Sequence, residues 1–332
     1  MDILLICIIV LAVAFDFVNG FHDTANAIAT TVYTHALSVG AAIALAASMN
    51  LLGAVVSENV AQTISEGLVA VTLDSYVILA ALISAILWNL FTWWRSIPSS
   101  SSHALIGSLL GATILYSMTF EGVQWNNVFV KVILPLFTSP LLGFLCAFLA
   151  MKLILQVFKS FNRAKVHGVF KHLQLLSAAL VAFAHGTNDA QKTMGIITLA
   201  LISGNVLAVG EGVPLWVKLL CATAIACGTM LGGKRVMKTM GSKVTKLDSA
   251  GGFAAQTTSA LVIQGMSALG APISTTQVIT TAVMGVGSAH SIKSVNWGIA
   301  RDIALTWVIT LPVTALLGAG VVFIIETLVR FV

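Results

Sequence analysis

Charge is what this sequence lacks most. Only 9% of its 332 residues are Asp, Glu, Lys or Arg, where a soluble domain carries about 25%. With 58% hydrophobic residues, that scarcity excludes a water-soluble chain and leaves little room for any soluble domain. Cysteine is also scarce. Cys7, Cys146, Cys221 and Cys227 sit in apolar runs without metal-ligand spacing, so they read as small buried hydrophobes and no metal site is expected. No His-Glu-x-x-His pair occurs, which argues against an intramembrane metalloprotease, and no Gly-x-Ser-x-Gly elbow supports a serine hydrolase. The first apolar run, Ile3 to Phe17, lacks the basic leading region of a signal peptide and is read as a retained helix.

What is abundant is apolar sequence in runs of helical length. Such runs recur throughout, so an all-α integral membrane protein is expected rather than a barrel. In the Leu37–Val56 run, Gly40 and Gly53 are expected at close helix contacts. Trp88, Trp93 and Trp94 suit a membrane-interface belt. Lys152, Lys159, Arg163, Lys165 and Lys171 fall in one polar loop, and Lys234, Arg235, Lys238, Lys243 and Lys246 in another. By the positive-inside rule both loops face the cytoplasm, which explains them without a nucleic-acid partner or a lipid-recognition patch.

Inside the apolar runs, the few polar residues follow a pattern. Asn19-Gly20-Phe21-His22-Asp23-Thr24-Ala25-Asn26-Ala27 has a second version in His185-Gly186-Thr187-Asn188-Asp189-Ala190-Gln191-Lys192-Thr193. Gly20 falls on Gly186, Asp23 on Asp189, and Asn26 on Lys192. Pro98 and the hydroxyl run Ser99 to Ser102, then His103, recur as Pro272-Ile273-Ser274-Thr275-Thr276-Gln277. Two motifs in the same order at similar offsets indicate an internal duplication. The polar stretch Glu58–Ser75 has no basic residue, while its counterpart Lys234–Asp248 has five. The same element then lies outside in one half and inside in the other, which predicts an inverted-topology repeat. The boundaries follow: a first repeat over 1–155 with a re-entrant hairpin near 97–118, a basic cytoplasmic loop over 156–172, and a second repeat over 173–332 with a hairpin near 271–288. Helix breaks are expected at Asp23 and Asp189, which would make half-helices around one midplane site.

A carboxylate at membrane depth costs several kcal/mol or more and marks function by default. Asp23 and Asp189 are therefore candidates to carry protons or hold sodium ions. Lys192, three residues after Asp189, stands where its ammonium would replace a bound cation, pair with Asp189, or touch an anion. A buried ion pair that only specifies packing is the bland alternative. Proline before hydroxyls suits a helix N-terminus, where unpaired N–H groups and the dipole favour an anion. Ser100, Ser101, Ser102, Ser274, Thr275 and Thr276 would then cradle a tetrahedral oxyanion. The alternative is that these hydroxyls bond only to helix carbonyls. Asp16 has no acidic counterpart, since Ala182 stands in its place, and it is a candidate proton relay. His22 sits beside Asp23 and is placed to tune it. His103 and Gln277 are equivalent positions, so no role can need imidazole in both halves. A hydrolase built on Ser102 or His103, and a channel, are the readings from other classes.

These residues resemble the inorganic phosphate transporter (PiT) family. Its G-A-N-D-V-A-N-A hallmark is similar to Gly20–Ala27 and to Gly186–Thr193, and its P-V-S-T-T-H element to Pro98–His103 and Pro272–Gln277. The resemblance implies an inverted-repeat bundle with two hairpins in the cell membrane, phosphate held by the hairpin hydroxyls, and cation coupling through Asp23 and Asp189. Asn188 and Lys192 are expected to shape the phosphate site, and Asn26 the cation site. The resemblance also implies a homodimer, with no enzymatic activity and no cofactor. Gln191-Lys192 departs from the Ala-Asn of sodium-coupled members and resembles the bacterial low-affinity branch, which implies H+ rather than Na+ and a substrate that is free phosphate or a metal–phosphate complex. A sulfate-transporting branch shares the fold.

Overall fold

A computed structural model describes residues 3–95, 97, 99–231 and 244–331, with the side chains of residues 25, 26, 330 and 331 excepted. Pro98, the side chain of Asn26, and Lys234, Arg235, Lys238 and Lys243 therefore lie outside the described residues. The elements are helices: α1 (Ile3–Tyr33), α2 (Val39–Ala54), α3 (Asn59–Glu66), α4 (Ser75–Trp94), α5 (Ser101–Ser117), α6 (Trp125–Val157), α7 (Arg163–Ser203), α8 (Leu215–Leu231), α9 (Ser249–Ala268), α10 (Thr275–His290) and α11 (Trp297–Phe331). Among the described residues, five of these are long and apolar enough to cross a membrane, and α2 with α3, bent by 63°, makes a sixth candidate. Helix is what the sequence requires here, because it satisfies every peptide group without water.

Three expectations are corrected. First, Asp23 and Asp189 do not break their helices. The 31 residues of α1 run through Gly20 and Asp23, and the 41 residues of α7 run through Gly186 and Asp189. One glycine costs a helix about 1 kcal/mol, which long flanking apolar runs outweigh. Second, the 156–172 loop is mostly helix. Asn162 caps α7 by accepting from the Ala164 and Lys165 N–H groups at 2.9 and 3.4 Å, so Arg163, Lys165 and Lys171 ride on α7 itself. Third, Cys7, Cys146 and Cys227 are exposed on the outside of the bundle, and only Cys221 is buried. In a membrane helix the apolar surroundings of a residue are often lipid rather than core.

The glycines explain how the helices assemble. A Cβ at Gly20 would strike the Ile225 carbonyl and lie 2.9 Å from the Thr229 nitrogen, so α1 packs directly on α8. A Cβ at Gly186 would lie 2.8 Å from the Asn50 Cα, so α7 packs directly on α2. Gly228 and Gly53 return these contacts against Phe17 and Phe183. In the same way Gly111 and Gly318 join α5 to α11, and Gly285 and Gly143 join α10 to α6. Each half is thus seated on helices of the other. Gly40 takes no part, because nothing lies within 4 Å of a Cβ built there. Gly20→Ala should therefore cost about 1–3 kcal/mol by overpacking, while Gly40→Ala stays within about 0.5 kcal/mol of wild type. Thermal unfolding in detergent checks this, and equal midpoints for the two variants would sink the packing account.

Helices α5 and α10 begin together and leave in opposite directions. The 17 and 16 residues they contain span about 25 Å at 1.5 Å per residue, short of the ~30 Å apolar core. Beyond α5, the Ala70 N–H donates to the Gly122 carbonyl (2.9 Å) and the Gln124 N–H to that of Leu68 (3.0 Å), beside the polar stretch without basic residues. His290, at the end of α10, shares a pocket with Phe158 and Lys159 at the far end of α6. Equivalent tryptophans close both turns: Trp125 Nε1 donates to the Phe120 carbonyl at 2.7 Å, and Trp297 Nε1 to that of Ile292 at 2.8 Å.

Candidate functional site

The N-termini of α5 and α10 meet between α1 and α7, at the level of the two aspartates. Ser100 and Ser274 are the N-caps; their hydroxyl oxygens accept from the His103 and Gln277 N–H groups at 3.2 and 3.3 Å. The other four hydroxyls reach further. Ser101 donates to Asp23 and also lies 2.9 Å from Asn19 Oδ1. Thr275, its equivalent in the second half, donates to Asp189 Oδ2 at 3.1 Å. Ser102 and Thr276 cross over. Lys192 of the second half donates to Ser102, whose own proton goes to the Ile273 carbonyl at 2.8 Å, while Thr276 donates to Asp23 Oδ1 of the first half at 3.1 Å. Each helix end is thus tied to the acidic residue of both repeats or to its partner lysine.

Around the carboxylates the contacts differ. Asp23 is met by His22 Nδ1 at 2.7 Å. Asp189 pairs with Lys192, one turn on, and lies 3.0 Å from His185 Nε2. Asn50 orients that histidine. Its amide nitrogen donates to Thr24 and Thr229 (3.1 and 3.2 Å), so its oxygen accepts from His185 Nδ1 at 3.1 Å. Asn188 turns its amide to the Ser267 hydroxyl at 2.7 Å and the Ala271 carbonyl at 3.2 Å, and so holds the chain entering α10. His103 and Gln277 approach each other to 3.5 Å. None of Asp23, Ser100, Ser101, Ser102, Asn188, Asp189, Lys192, Ser274, Thr275 and Thr276 is more than 2% exposed. Burial makes the charge balance costly: unpaired, each of these ions would forfeit several kcal/mol of solvation.

The structure brings Asp23, Asp189, Lys192 and the hydroxyl runs of the two halves together and adds supports that sequence reasoning missed. Thr193 donates to Asp16 at 2.6 Å. The Gln191 oxygen caps α3 by accepting from Val60 N at 2.8 Å and Ala61 N at 3.3 Å. Asn50 offered a signal, as a lone amide in an Ala-rich apolar run. Thr193 offered none, because its equivalent position is Ala27.

An apolar-surfaced helical bundle that buries charge against two converging helix ends has the build of a multi-pass membrane transporter. The phosphate transporter family model matches residues 19–167 and 156–318, and the chain belongs to that family. It is 48% identical over 332 residues to the probable low-affinity inorganic phosphate transporter of Bacillus subtilis (strain 168), covering 98% of this chain and 99% of that one. It is 43% identical over 318 residues to the protein of the same description from Rhizobium meliloti (strain 1021), covering 95% of each. Among solved structures, "The sodium-dependent phosphate transporter" superposes with a TM-score of 0.91 at 28% identity, covering 98% of this chain and 100% of that chain. Membership and the apolar helices place the chain in the plasma membrane.

Proposed function

We propose that the chain imports inorganic phosphate by proton symport, with the anion held where α5 and α10 meet. The observation that carries this is the convergence of two helix N-termini, four hydroxyls and Lys192 between Asp23 and Asp189. First-turn N–H groups and the positive dipole ends favour an oxyanion there. Coupling follows from competition for donors. Ser101, Thr275 and Thr276 give their protons to carboxylates. A cation that neutralises Asp23 weakens it as an acceptor and frees the Ser101 and Thr276 hydroxyls for phosphate. Anion and cation then bind well only together, which is the condition for symport.

Asp23 is the coupling carboxylate, with Asn26 beside it in sequence. At Asp189 the Lys192 ammonium occupies the place of a cation, and this favours H+ over two sodium ions. The mirrored contacts of the halves, with α5 and α10 oppositely directed, support an inverted repeat whose rocking alternates access. The substrate is free phosphate or its complex with a divalent metal, and the assembly a homodimer.

Sodium coupling is the second reading, favoured by the name of the solved structure. Radiolabelled phosphate uptake into proteoliposomes, in sodium-free buffer with a pH gradient, tests the proposal. Accumulation against the phosphate gradient, unaffected by excess sulfate, is expected. Uptake that requires sodium, or that sulfate abolishes, overturns it.

A further inference from the structure

Asp16 is a third buried carboxyl, and the mechanism above makes no use of it. It is fully buried, seven residues before Asp23 on the same face of α1. Thr193 Oγ1 donates to its Oδ1 at 2.6 Å. Its Oδ2 meets no partner of hydrogen-bond geometry among the described residues. No Lys, Arg or His among them stands within ion-pair distance. The groups that act on it are the Cys221 thiol of α8, which lies beside it, and Asp189 and Lys192 of α7 at longer range.

Lys192 is committed to Asp189, and His22 to Asp23. Of the three buried aspartates, Asp16 is the one without a cation among the described residues. An isolated carboxylate in such a place takes up a proton or coordinates a metal ion. A hard cation needs several oxygen ligands, and one hydroxyl and a thiol do not supply them. A proton needs only the carboxyl itself.

The sidedness adds direction. The Tyr33 end of α1 leads into α2, and α2 leads to the polar stretch Glu58–Ser75 that lacks basic residues. By the positive-inside rule that stretch is external, so Ile3 is at the outer end of α1 and Asp16 lies on the outer side of Asp23. Between them Asn19 accepts from Ser101, and its amide nitrogen meets no hydrogen-bond partner among the described residues.

We propose that Asp16 is a proton-binding site of the transport cycle: it takes a proton from the outer side, carries it as a neutral carboxyl in the closed state, and gives it up when the site opens inward. Only the O–H bond on Asp16 forms and breaks. This rests on the reading of the chain as a phosphate symporter and adds to Asp23 a second carboxyl on the path of the coupling proton. Ala182 stands at the equivalent position of the second half, so there is one such site per chain.

Asp16→Asn, reconstituted in vesicles, tests it. The variant is expected to exchange internal for external phosphate at equal pH within about twofold of wild type, and to lose accumulation driven by a pH gradient by tenfold or more. Asp16→Glu is expected to restore that accumulation. If Asp16→Asn does not fold, Thr193→Val serves instead: it removes the one hydroxyl on the carboxyl and should displace the pH profile of uptake. Gradient-driven accumulation by Asp16→Asn at the wild-type level, or an unmoved profile in Thr193→Val, overturns the assignment. Wild-type vesicles that exchange no phosphate overturn the transport reading itself, and the assignment falls with it.

Discussion

Asp23→Asn is expected to abolish phosphate uptake while the protein is still made and inserted. The amide is nearly isosteric and keeps one oxygen acceptor, though Ser101 and Thr276 donate to different oxygens of the carboxylate and only one of them retains its acceptor. It cannot alternate between charged and neutral forms. The donors at the two helix ends then lose the acceptor whose neutralisation releases them, and the anion no longer travels with a cation. The expected loss is at least 100-fold, about 2.7 kcal/mol or more on the transport barrier. Initial rates in proteoliposomes, normalised to reconstituted protein, measure it. Wild-type uptake by Asp23→Asn would remove this carboxylate from the coupling scheme.

The second large effect is on folding. Lys192→Met leaves Asp189 fully buried, with His185 at 3.0 Å and the Thr275 hydroxyl at 3.1 Å as its remaining polar contacts among those described here. Removing one partner of a buried ion pair costs about 3–5 kcal/mol, because the other charge stays desolvated. That is a large part of the stability of a typical protein, so Lys192→Met should yield little monodisperse protein in detergent. Adding Asp189→Asn removes the stranded charge and should recover most of the unfolding midpoint, a non-additive result expected of residues in contact. Uptake should not recover, because the ammonium that links Ser102 to the second repeat is gone. A single Lys192→Met as stable as wild type would mean that the pair contributes nothing net.

Much of the site was legible in one dimension. A carboxylate in an apolar run is so costly that its position alone marks it, and Asp23 and Asp189 were found that way. Hydroxyl runs before short apolar segments located the N-termini of α5 and α10 for a similarly local reason, since capping and helix dipoles depend on a few adjacent residues. The helix breaks expected at the aspartates were wrong for an instructive reason. Glycine within a helix permits either a break or a close neighbour, and here Gly20 and Gly186 admit the backbones of α8 and α2. Local sequence cannot choose between those outcomes, because the neighbour comes from the other half of the chain.

The sequence by itself determined membrane residence, the doubling of the motifs, the sign of the charges in the interior and the family. Each depends on composition or on spacing along the chain. Only the tertiary structure decided that Ser102 meets Lys192 and Thr276 meets Asp23, that Asn50 orients His185, and that Asp16 stands against Thr193 with no cation beside it among the described residues. The physical reason is that these contacts join residues tens to hundreds of positions apart. Which faces meet is set by where small residues let helices approach, and that is a property of the packed bundle.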